Sequence, residues 1–79
     1  MGYLRVQVAS FAELANAKSL AARLKNQHPD VRIMTVDLSS GRRYRVLVGQ
    51  FTSEGQAEAV ASRLESQFEV DPLVLRDDT

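Results

Sequence analysis

The sequence contains no cysteine and no tryptophan, and it has one histidine, two prolines, two tyrosines and three phenylalanines. Without cysteine there is neither a disulfide nor a thiolate metal site. The absence does not choose a compartment, because such a chain folds in oxidising and reducing surroundings alike. The single histidine, His28, stands beside Pro29 with no second histidine to complete a catalytic dyad or a metal set, and is expected as an exposed loop residue. Asp77-Asp78 is expected as a solvated tail, not a metal site. Neither sign of charge is in excess: ten Lys and Arg balance ten Asp and Glu. That balance argues against a general polyanion binder and leaves room for a local basic patch. No apolar run approaches the roughly 18 residues that span a bilayer, and no secretory signal pattern is present, so no membrane insertion by this segment is expected.

Seventy-nine residues make one domain. A chain near this size buries only about 60–65% of the surface that its unfolded form exposes, which leaves room for one core and none for a cleft between domains. The expected module runs over 3–76 as part of a longer protein, monomeric, with Met1-Gly2 an appended start and 77–79 a tail.

What is present is a duplication. At a shift of 40 residues the chain matches itself at Arg5/Arg45, Val6/Val46, Val8/Val48, Phe11/Phe51, Ala17/Ala57, Ala21/Ala61, Arg23/Arg63, Leu24/Leu64 and Gln27/Gln67. Two copies are too few for a solenoid, so the half-repeats, about 3–38 and 43–76, must close on each other around one pseudo-two-fold core.

Within each copy the apolar period switches from two to 3.6. Leu4, Val6 and Val8 alternate with Tyr3, Arg5 and Gln7, as Tyr44, Val46 and Val48 do with Arg43, Arg45 and Leu47, which predicts two strands packed on one face. Leu14, Ala17, Leu20, Ala21 and Leu24 form the stripe of a first helix, and Ala57, Val60, Ala61 and Leu64 that of a second. Ser53 to Gln56 has capping-box spacing and marks the start of the second helix, with Phe51 as a hydrophobic staple, whereas the first helix has no comparable cap. His28-Pro29-Asp30 ends the first helix, because proline pushes its predecessor out of helical geometry. VRIMTVDL and PLVLR add one strand per copy, with SSGRR as the hairpin between the halves.

The order is βαββαβ. It predicts an α+β fold of the ferredoxin-like or RNP-like kind: a four-stranded antiparallel sheet with both helices on one face and the other face open. Such folds host many functions, so function is sought on the open face. The phasing sends Tyr3, Arg5, Gln7, Arg43, Arg45 and Leu47 there. Carrying the repeat into the outer strands turns Ile33, Thr35, Leu73 and Leu75 toward the helices and Arg32, Met34, Val36, Val74 and Arg76 outward; a one-residue slip would invert this. Phe11 and Phe51 are expected in the core.

VQVASF, then A-x-x-L-A-x-R-L, then YRVLVGQF and a second A-x-x-x-A-x-R-L together resemble the SPOR domain, the sporulation-related repeat of bacterial cell-wall proteins, from about Tyr3 to Leu75. The resemblance implies a non-catalytic module that binds peptidoglycan, prefers glycan strands stripped of their stem peptides, and brings its host to the division septum in the periplasm or cell envelope. It also implies that no cofactor is involved. The family's functional positions fall on Gln7, Ser10 and Arg45. Some members carry Trp two residues before that arginine; this chain has Arg43 there, and its repeat equivalent Tyr3 is the nearest aromatic substitute.

The ligand's chemistry suits these residues. A stripped strand carries a free lactyl carboxylate on each N-acetylmuramic acid, which a stem peptide would convert into an amide. An arginine fork offers that carboxylate two parallel charge-assisted hydrogen bonds, which makes Arg45, Arg43 and Arg5 candidates in that order. Gln7 can both donate to and accept from an acetamido group, and Ser10 can reach a sugar hydroxyl. Tyr3, Met34 and Leu47 offer apolar surface to sugar rings. A small-molecule sensor or dimerisation module of the same topology is the alternative, marked by self-association. An RNA-binding domain is a weaker one, since its two exposed aromatics on the central strands are missing, and no nucleic-acid partner is expected.

Overall fold

The structure, a computed structural model, describes residues 3–77; Met1-Gly2 and Asp78-Thr79 lie outside the described residues. Its elements are β1 (Tyr3–Phe11), α1 (Leu14–Leu24), β2 (Val31–Leu38), β3 (Gly41–Phe51), α2 (Glu54–Phe68) and β4 (Leu73–Asp77). The four strands form one sheet in the order β2-β3-β1-β4, every neighbouring pair antiparallel. The expected α+β fold is therefore the observed one.

The alternation in the two central strands builds the core. Val6, Val8, Val46 and Val48 are essentially inaccessible and meet Ala17, Leu20, Ala21 and Leu24 of α1 and Ala57 and Leu64 of α2. Full burial of a valine contributes about 1.5–3 kcal/mol. The repeat twins Ala17 and Ala57 are both fully buried; their small side chains let each helix sit close to the sheet. Arg23 near the end of α1 lies over the Phe68 ring at the end of α2, 4.9 Å from its centroid, and ties the helices together.

Capping follows the sequence. Ser53 is the N-cap of α2 and its hydroxyl accepts a hydrogen bond from the Gln56 amide at 3.3 Å, while Glu13, the N-cap of α1, makes no side-chain cap bond. The end of α1 differs from expectation: it stops at Leu24, before His28-Pro29-Asp30. The Gln27 and His28 amides both donate to the Leu24 carbonyl, closing a turn over 25–27 between the helix and the proline. Leu14, placed on the apolar stripe by its spacing, is the first residue of α1 and exposed. α2 ends on Glu69 in the left-handed region at φ 54°, its amide bonded to Glu65 O at 3.0 Å. Left-handed backbone costs a residue with a Cβ about 1–2 kcal/mol, part of which glycine's greater unfolded-state entropy takes back. Glu69→Gly is accordingly expected to raise the melting temperature by a few degrees; an unchanged or lower value in a thermal melt would contradict this.

Two irregularities interrupt the pairing of β1 with β3. Gln7 opposes Leu47 and Ala9 opposes Val46, so Val8 and Ala9 together face one residue of β3. Both lie against the core, and the strand resumes with Ser10 on the open face opposite Arg45 and Phe11 on the helix side opposite Tyr44. Uninterrupted alternation from Val8 would have put Ser10 among the helices; the bulge turns it over. The second irregularity lies near Gly49, whose φ of 81° and closeness to the Phe51 ring leave no room for a Cβ.

β2 faces as expected, with Val31 and Ile33 packed on the core. β4 does not. Val74 opposes Val6 and packs on the core, whereas Leu73 is 53% exposed opposite Gln7, and Leu75 opposes Arg5 on the open face. The expectation that Leu73 and Leu75 point inward and Val74 and Arg76 outward is corrected. Val6 opposes Val74, while its twin Val46 opposes Ile33, so the outer strands are related by a shift of 41 and not of 40. Carrying the 40-residue shift into β4 inverted its faces. Arg76 falls in register with Leu4 and borders the open face only at the edge of the sheet. β4 also extends to Asp77, one residue past the expected end of the module.

Candidate functional site

The register assembles the open face in rows. Arg32, Leu47, Gln7 and Leu73 line up across β2, β3, β1 and β4. Met34, Arg45 and Ser10 make the next row toward the β2–β3 hairpin, and Val36 and Arg43 the one beyond. Leu47, only 6% exposed, lies beside a shallow hollow of about 360 Å³ bordered by Arg5, Arg32, Met34, Leu75 and Arg76.

The arginines on this face are not equivalent. Arg5 is 8% exposed; its Nη1 donates to the Gly49 carbonyl at 3.1 Å and lies 3.8 Å from Asp30 Oδ2. Arg32 Nε lies 3.6 Å from the other oxygen of Asp30. Asp30 thus offsets part of the positive charge near the hollow, and its backbone carbonyl also receives the Gly49 amide at 2.8 Å. Arg42, whose pKa is raised chiefly by its hydrogen bond to Asp37, pairs with that residue at 2.7 Å beside the hairpin. Arg43 turns to Ser10 instead: its Nε donates to Ser10 Oγ at 3.1 Å and its Nη2 to the Ser10 carbonyl at 2.8 Å. Arg45 is half-buried, and its Nε, shielded from solvent, finds no acceptor among the described residues.

Of the residues expected at a site, Gln7, Ser10, Arg43, Arg45, Leu47 and Met34 share one continuous area of the open face. Arg5 shares the face but is engaged as an anchor. Tyr3 is exposed, yet it sits opposite Asp77 at the far end of β1, roughly 25–30 Å along the strand from the row of Arg43. It cannot substitute there for an aromatic ring. His28 is half-buried, not exposed, with Nε2 enclosed and unbonded among the described residues. Two participants escaped the sequence reading. Asp30 carries a signal only in hindsight, as an acid at the mouth of an arginine-bearing strand, and Leu75 has none, because PLVLR offers three consecutive apolar residues. No helix of the described residues is long and apolar enough to cross a membrane.

The open face of this βαββαβ sheet, with its arginines and apolar side chains, has the make-up of a binding surface. Residues 1–76 match the SPOR domain family, and the chain belongs to it. SPOR domains are non-catalytic modules that bind peptidoglycan. Among solved structures, the chain is similar to the RlpA SPOR domain from Pseudomonas aeruginosa, with 24% identity, a TM-score of 0.80, and coverage of 92% of this chain and 97% of that one. It is also similar to the peptidoglycan-binding domain of the B. subtilis cell wall lytic enzyme CwlC, with 28% identity, a TM-score of 0.66, and coverage of 99% and 92%. No curated protein matches the chain.

Proposed function

We propose that this domain binds peptidoglycan glycan strands that have lost their stem peptides, through the open face of its sheet, and so brings the protein that carries it to the division septum in the bacterial envelope. The observation that carries this reading is the pair Arg43 and Arg45: among the described residues neither is matched by a carboxylate, and both stand on the open face of β3. A guanidinium that lacks an internal acid is available to an external one, and the lactyl carboxylate appears only when the stem peptide is removed. Gln7 lies within the same area, suited to the acetamido group, and Leu47 and Met34 offer apolar surface to the sugar rings. The peptidoglycan-binding domain of CwlC, alike over nearly all of this chain, supports the ligand class.

The test is sedimentation with purified sacculi before and after amidase treatment. Several-fold more protein is expected in the pellet with treated sacculi, and the excess should shrink at high salt, because it rests on charge. Equal pelleting with both would reject the preference for stripped strands. Tighter binding to RNA than to glycan at physiological salt would reject the ligand class.

A further inference from the structure

We infer that Ser10 is a positioning residue, fixing Arg43 so that Arg43 and Arg45 act as a two-guanidinium clamp on one carboxylate of the ligand. The inference rests on the reading of this face as a glycan site and assigns the carboxylate its place within it. Three observations carry it. First, Ser10 is held by Arg43 at two points, its hydroxyl oxygen receiving Nε at 3.1 Å and its carbonyl receiving Nη2 at 2.8 Å. Those bonds fix the plane of the guanidinium and leave the Nη1 edge and the second Nη2 proton for a ligand. The bulge at Val8 and Ala9 is what delivers Ser10 to this position.

Second, Arg43 and Arg45 are two apart on β3, so they rise from the same face about 6.5–7 Å from each other, within the joint reach of two long side chains. Arg45 opposes both Ser10 on β1 and Met34 on β2, which places Ser10 beside both arginines. Third, of the arginines on β1, β2 and β3, Arg5 and Arg32 face Asp30 and Arg42 pairs with Asp37, which leaves Arg43 and Arg45 without a carboxylate among the described residues. The Ser10 hydroxyl serves Arg43 through one lone pair, and the test below separates that positioning role from direct contact with sugar.

A double-mutant cycle tests this, read as binding to soluble glycan strands stripped by amidase and to the same strands with their carboxylates converted into methylamides. Arg43→Ala is expected to weaken binding to the stripped strands about tenfold and Ser10→Ala several-fold, with the double variant no weaker than Arg43→Ala alone. Ser10→Thr keeps the hydroxyl and should restore binding. On the methylamide strands, Ser10→Ala should match the unsubstituted protein, a readout that a merely structural role would not give. Losses that multiply in the double variant, or a Ser10→Ala defect equal on both ligands, would overturn the inference while leaving the glycan reading intact. An unsubstituted protein that binds stripped and unstripped strands alike would overturn the preference for stripped strands on which the inference rests, and one that binds neither would overturn the glycan reading itself. Thermal melts of each variant confirm that binding is compared between folded proteins.

Discussion

Val8→Asp should abolish cooperative folding. Val8 is fully buried between β1 and the helices, at the bulge where two consecutive residues face the core. An unpaired carboxylate there costs about 3–5 kcal/mol or more, a large part of the total stability of a domain of this size. Gln7→Ala, one position away on the open face, should melt within about 0.5 kcal/mol of the unsubstituted protein. Circular dichroism melts of the two variants check this. A folded Val8→Asp protein alongside an unfolded Gln7→Ala protein would mean that the strand presents its other side to the helices.

The second large effect separates repeat twins. Arg45→Ala is expected to remove most binding to stripped glycan while leaving the melting temperature almost unchanged. Arg5→Ala should do the reverse, because it withdraws the donor from the Gly49 carbonyl and leaves Asp30 with only the more exposed Arg32. Losing such a buried bond costs about 1–3 kcal/mol. Arg45→Lys refines the result: lysine keeps the charge and loses the planar fork, so a carboxylate held at two points should be bound about 1 kcal/mol less tightly. Binding isotherms and thermal melts on the three variants give the comparison. If Arg5→Ala loses affinity and keeps its stability, the two arginines have exchanged the roles assigned to them.

Those twins show where the sequence was legible and where it was not. Both arginines lie in the same local pattern, R-V-x-V, and periodicity rightly placed both on the open face. It gave no means of telling them apart, because the difference comes from neighbours distant in the chain: Asp30 and Gly49 around Arg5, Ser10 and Met34 around Arg45. The central strands could be phased because charged and apolar residues alternate in them. β4 could not, since Leu73, Val74 and Leu75 are all apolar and the one-residue offset between the outer strands leaves no mark in composition. Ser10 reached the open face through a bulge that a small residue, Ala9, accommodates on the core side. In V-A-S-F nothing announces the extra residue. The resemblance to the SPOR family pointed to Ser10 where periodicity alone would have hidden it.

The pairing of Tyr3 with Asp77 at one end of the sheet, and the two-residue turn at Ser39-Ser40 that joins the halves, have a topological consequence. Joining the chain near the first pair and opening it at the turn gives the order β3-α2-β4-β1-α1-β2, which is again βαββαβ. Renumbered from its new start, the sheet order β2-β3-β1-β4 maps onto itself, read from the opposite edge. The architecture is therefore invariant under circular permutation by half its length. What such a permutation exchanges is which half supplies the anchoring arginine and which the arginine open to a ligand, so the asymmetry of the binding face resides in the side chains and not in the path of the backbone.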